Sequence, residues 1–192
     1  RVRQRSWLGV GSGEVNQIAS VDELVQALGP DTALVSYLWD GKSRLTAIVL
    51  TDQTHQVIEL GESEPVRRLI AGLAADLDMS ATELPGPMAQ VVREGLDLRL
   101  RQISSALVTP ILSQVGERRV VITQAGILAG ISWSMLPGFR GHPLSVASTA
   151  SSWLQTHGLD SPVSLGFVAG PEVARAVEEV ELAASFWTNA TV

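Results

Sequence analysis

The chain has 192 residues, 45% of them hydrophobic and 18% charged, with a formal net charge of -6. That suits one domain of moderate size, or a domain with an appendage, and the basic residues are too scattered for a nucleic-acid surface. It contains no cysteine, which excludes disulfides, thiolate metal sites and a cysteine nucleophile within these residues.

The apolar runs fall well short of the ~20 residues of a membrane helix. No secretory signal pattern is visible, so a cytoplasmic protein is expected and the sequon at Asn189-Ala190-Thr191 is expected to stay unmodified. Residues 1–19 are polar and glycine-rich and read as a linker, the RVRQR opening as a solvated face. Gly9, Gly11 and Gly13 do not make a dinucleotide fingerprint, because Glu14 stands where a third glycine belongs, and no lysine supports a phosphate loop.

Ser20-Val21-Asp22-Glu23 is a capping box. A short helix with Val21, Leu24, Val25 and Leu28 on one face follows, stopped by Gly29-Pro30. Thr32 to Trp39, Leu45 to Leu50 and His55 to Leu60 read as three strands of an antiparallel meander over 31–60, with Asp40-Gly41 as the first hairpin signal. His55 is expected to face solvent.

Two helical patterns occupy 64–115. The first starts at Ser63-Glu64-Pro65 and buries Val66, Leu69, Ile70, Leu73 and Leu77. After a loop over 78–87, the second carries Met88, Val91, Val92, Leu96, Leu100, Ile103, Leu107, Ile111 and Leu112, with interruptions expected at Gly95 and Pro110. Glu94 and Asp97 read as solvated helix charge rather than an acid–base pair.

From 118 the pattern changes to that of an α/β core. Val120 to Ile122 is a short apolar run left through Gln124-Ala125-Gly126, as in a buried parallel strand. A second apolar stretch lies around Leu144 to Ala147, and Pro162 to Val168 is another buried-strand candidate. A helix over Glu172 to Trp187 follows, with Val173, Val177, Val180, Ala184 and Trp187 inward. Strand and helix alternating in this way predict a partly parallel sheet flanked by helices.

Open parallel sheets bind ligands beyond the carboxyl ends of their strands. Thr123, Gln124, Gly126 and Trp133 are therefore the candidate cleft-lining residues. Trp133 also reads as a core aromatic. His142 reads as a loop or cleft-rim residue, and His157 follows the helical pattern of Ser151 to Gln155 rather than an apolar strand. The three histidines have no metal-ligand spacing, and no cofactor site is expected. Gly130-Ile131-Ser132-Trp133-Ser134 lacks the final glycine and the strand–Ser–helix order of a nucleophile elbow.

In the order of these elements the chain resembles the CHAT domain, a caspase- and separase-related α/β module usually found after tetratricopeptide repeats. The resemblance runs from Ser20 through Leu28 to Leu34, Ser36-Tyr37-Leu38, the meander, and the long helix ending Thr109-Pro110-Ile111-Leu112. Its most specific strings are Val120 to Gly126 with Leu128 and Met135-Leu136-Pro137, Pro143-Leu144 through Ser148 to Ser151, and Gly170-Pro171 with Glu179-Val180-Glu181. Where the family carries a proline and a polar or charged residue around its glycine turn, this chain has Gln124-Ala125 and Ile127.

The resemblance implies a caspase-like α/β fold and a cysteine peptidase with a His/Cys dyad acting on protein or peptide. It places that dyad on the two strands after the acidic helix, beyond Val192. Residues 20–192 are then expected to be the N-terminal part of such a domain, inactive alone and prone to self-association or to pairing with the remaining half. The other expectation is a non-catalytic protein-interaction domain on the same scaffold.

Overall fold

The computed structural model describes residues 18–82, 85–157, 165–171, 173–188 and 190–191. The linker expected over 1–19 falls almost wholly outside them, as do Glu172 and the sequon's Asn189. Contacts divide the chain into two compact units, Arg1–His157 and Gly158–Val192.

The first unit opens with helix α1, Val21–Leu28. The Ser20 hydroxyl accepts from the Glu23 amide at 3.3 Å, while the Ser20 amide donates to the Glu23 carboxylate at 2.7 Å. The bond from the Ser20 amide first, and then the Ser20 hydroxyl donating to the same carboxylate at 2.8 Å, hold the Glu23 carboxyl below its ordinary value near 4.5. A carboxyl depressed in the folded state stabilises the fold above its unfolded pKa and loses that contribution as pH falls through the folded value. Acidification below about pH 4.5 is thus expected to lower the melting temperature more in the native chain than in Ser20→Ala. Equal acid sensitivity of the two would show that the Ser20 hydroxyl contributes nothing to it.

Strands β1 (Thr32–Trp39), β2 (Arg44–Leu50) and β3 (His55–Glu62) form the antiparallel meander. Its first turn is closed by Asp40, whose carboxylate accepts from the Lys42 and Arg44 amides at 2.7 and 3.1 Å, and Gly41 takes φ +82° there. Helices α2 (Ser63–Ser80) and α3 (Gly86–Leu107) follow, each reaching into the stretch expected to be a loop. Gly95 does not interrupt α3. Pro110 does end it: the chain passes through a 3-10 turn, Thr109–Ile111, into a last helical turn α4, Leu112–Val115. The proline ring and the tightened turn leave the Leu107 carbonyl without its helical donor, and the buried Tyr37 hydroxyl donates to it at 2.9 Å.

Strand β4, Arg119–Thr123, enters parallel to β1, and β5, Leu144–Ala147, parallel to β4. The five-stranded sheet has the order β3-β2-β1-β4-β5, so the fold is α/β with a mixed sheet and an N-terminal meander. Between β4 and β5 the chain is a long loop with three 3-10 turns, Gly126–Leu128, Trp133–Met135 and Pro137–Phe139. Helix α5, Ala150–Thr156, closes the unit.

One sheet face carries Ala33, Val35, Tyr37, Ala47, Val49, Val120 and Ile122 and is covered by the inward rows of α2 and α3, including Leu73, Leu100, Ile103 and Leu107. The other carries Leu34, Leu50 and Val121 under Leu24 and Leu28 of α1, with Trp153 and Leu154 of α5 beside them. Alternation along β1 and β4 produces both clusters from the same strands. Met88 and Val91, expected in the core, are exposed instead, because they rotate off the row formed by Leu96, Leu100, Ile103 and Leu107.

The second unit holds a two-stranded parallel sheet, β6 (Leu165–Gly166) with β7 (Ala190–Thr191), and helix α6, Ala176–Ser185. Of the buried strand expected over 162–168, residues 162–164 lie outside the described residues; the rest is corrected, since only Leu165–Gly166 pair, half-buried to exposed, and with β7 rather than in the five-stranded sheet. In α6 Ala176 is buried and Val180 and Ala184 are half-buried, as expected of the inward side, whereas Val177, and Val173 and Trp187 flanking the helix, are exposed. Among the described residues no helix is long and apolar enough to cross a membrane.

Candidate functional site

The carboxyl ends of β1 and β4 lie side by side because these strands are parallel and in register, Ser36 opposite Thr123. The Ala125 amide extends the pairing by donating to the Tyr37 carbonyl at 3.0 Å. Here the chain brings together three of the four predicted cleft residues with two that the sequence reading left out, Ser36 and Tyr37.

Side chains alternate across the sheet, which splits the group in two. On one face the Thr123 hydroxyl donates to Ser36 Oγ at 2.9 Å. On the other, Trp133 Nε1 donates to Gln124 Oε1 at 2.7 Å, and the indole stacks on the Tyr37 ring with centroids 4.8 Å apart. Trp133 is only 4% exposed, so it is a core residue that supports the site from beneath. Indole nitrogen is a donor and nothing else. The amide of Gln124 is therefore fixed with its oxygen on Trp133 and its NH2 group turned away. Gly126 is exposed and opens the first 3-10 turn after β4.

The site is neutral. Burial raises the Tyr37 phenol far above its ordinary range, so it stays protonated and serves as a hydrogen-bond donor. The histidines lie elsewhere. His55 starts β3 opposite Leu50, and His142 precedes β5 with Nδ1 3.4 Å from the Arg118 carbonyl. Both are at the amino-terminal end of the parallel strands, away from the Ser36 and Thr123 end. His157 caps α5 and its ring lies 4.7 Å from that of Trp153. Ser132 precedes a 3-10 turn rather than a helix, so no nucleophile elbow forms.

Glu94 and Asp97 are exposed on α3; Glu94 accepts from Gln90 and Asp97 lies 4.0 Å from Arg140. Among the described residues no group of His, Asp and Glu gathers with metal-binding geometry. A shallow cleft between α2 and α3 is lined by Pro65, Arg68, Leu69, Arg99 and Gln102, but Arg99 is already held by Asp76 at 2.5 Å.

Among the described residues, the edge strands β3 and β5 each pair on one side only. The β3 edge carries Glu59 and Glu62. The β5 edge carries no charge, and Val146 is 54% exposed although it is in register with fully buried Ile122. Compared with protein-family models and with curated proteins, the chain matches none.

Proposed function

We propose that these residues are the scaffold portion of a CHAT-type, caspase-like cysteine peptidase domain, with the His and Cys of the dyad carried on strands beyond this stretch. The observation that supports the reading is the pair of parallel strands β1 and β4, whose carboxyl ends lie in register, with the neutral Ser36–Thr123 pair on one face of the sheet and Gln124 held by Trp133 on the other. Such strand ends offer polar groups to a substrate and contribute no nucleophile. The uncharged β5 edge, with Val146 uncovered, is where an added parallel strand would find free backbone donors and acceptors.

In that arrangement the thiolate attacks the peptide carbonyl while the histidine takes and returns the proton, and the ligand is an extended peptide or protein segment. No metal or cofactor enters the reading, and a cytoplasmic setting goes with it. The test compares two polypeptides on a peptide-substrate library. This 192-residue chain is expected to give no turnover. A longer chain carrying the following strands is expected to cleave, and to lose cleavage when its strand-end cysteine becomes serine. Turnover by the shorter chain, or no His/Cys pair on the following strands, would overturn the proposal; the latter outcome favours a non-catalytic interaction domain on this scaffold.

A further inference from the structure

Helix α3 presents a second apolar row on the side away from the core. Met88, Val91 and Leu98 are 54%, 64% and 51% exposed, and Gly95 stands among them at the matching spacing of three and four residues. This is the a/d spacing of a helix–helix seam. Glycine in mid-helix weakens the helix, and packing among the described residues does not require it here: a Cβ on Gly95 would meet no atom of them within 4 Å. The same row continues into Gln102 and Ser105, which are polar and exposed.

We propose that this row is a homodimer interface, in which α3 packs antiparallel against α3 of a second copy. In the register that superposes the two seams, Leu98 of each copy enters the gap above Gly95 of the other. Val91 then meets Gln102, and Met88 meets Ser105. Glu94 lies between Val91 and Gly95, and the residue facing it across an antiparallel seam is Arg101 of the second copy, between Leu98 and Gln102. Two-fold symmetry makes that ion pair twice. Arg101 is exposed and has no ion pair among the described residues. The seam thus matches itself in shape, large into small, and in charge, with Glu94 and Arg101 each finding the opposite sign. The proposal is independent of the peptidase reading and of the β5 edge.

Sedimentation equilibrium of the purified chain over the micromolar range is expected to show a monomer–dimer equilibrium. Glu94→Arg and Arg101→Glu should each weaken the dimer about tenfold, because each sets like charges against one another. The double variant should restore it, and Leu98→Asp should abolish it. These side chains are exposed, so the far-UV circular dichroism of each variant is expected to match the native chain. Val146→Lys, on the β5 edge, should leave dimerisation unchanged. A strictly monomeric chain, a double swap that fails to restore the dimer, or loss of the dimer in Val146→Lys would overturn the proposal.

Discussion

Trp133→Ala is expected to destabilise the domain by about 3–5 kcal/mol, the range for deleting a large aromatic from a packed core. The ring is 4% exposed, stacks on Tyr37 and stands 6.4 Å from Phe139, centroid to centroid. Its removal opens a cavity beneath the ends of β1 and β4 and strips Gln124 Oε1 of its donor. Trp133→Phe separates the two effects. It keeps an aromatic face on Tyr37 and loses the hydrogen bond together with part of the indole's volume, at a smaller cost of about 1–3 kcal/mol. Denaturant unfolding checks both through the shift in midpoint at constant slope. Equal costs for the two variants would show that the Trp133 ring is not packed as described.

Gly138→Ala is the second large effect, and here a single added methyl does the damage. The new Cβ would stand 2.7 Å from Val108 Cγ1 and 3.3 Å from Ser104 Oγ. Val108 is fully buried, and its branched side chain has little rotameric freedom. The expected cost is about 1–3 kcal/mol, typical of an overfilled core. Because the clash has one principal partner, Val108→Ala should relieve it, so the double variant should be more stable than the sum of the single costs implies. Strict additivity would place the strain elsewhere. Gly72 offers the contrast: its Cβ would meet the tip of Arg99, which swings away at the expense of its ion pair with Asp76.

Much of the fold was legible where a local signal coincided with the tertiary answer. The Ser20–Glu23 box, the Asp40-Gly41 turn and the apolar run Val120–Ile122 each state their structure within a few residues. The α/β class followed from them. The errors have one common source, the direction in which a side chain is used. The apolar row of α3 could not say by itself that Met88 and Val91 leave the core, nor that Gly95 sits in an unbroken helix. Likewise the length between β4 and β5 did not reveal three 3-10 turns, whose short hydrogen-bonding range leaves no periodicity.

The candidate site was half legible. Thr123 and Gln124 were found by their place at a strand end, a rule of topology. Ser36 and Tyr37 were missed because the meander reading gave β1 only antiparallel neighbours. The one hint was Ser36 itself, a lone polar residue inside the apolar run from Ala33 to Trp39.

The dual pairing of β1 also bears on how the polypeptide acquires its shape as it is made. One flank of this strand is satisfied at once by the adjacent hairpin, but its other flank must wait for Thr123, which lies 87 residues after Ser36. During synthesis the emerging meander and helices therefore carry an unfinished border, open to the wrong partner until β4 leaves the ribosome. The vulnerable interval is set by the translation of residues 51 to 118, and slow codons there would prolong it.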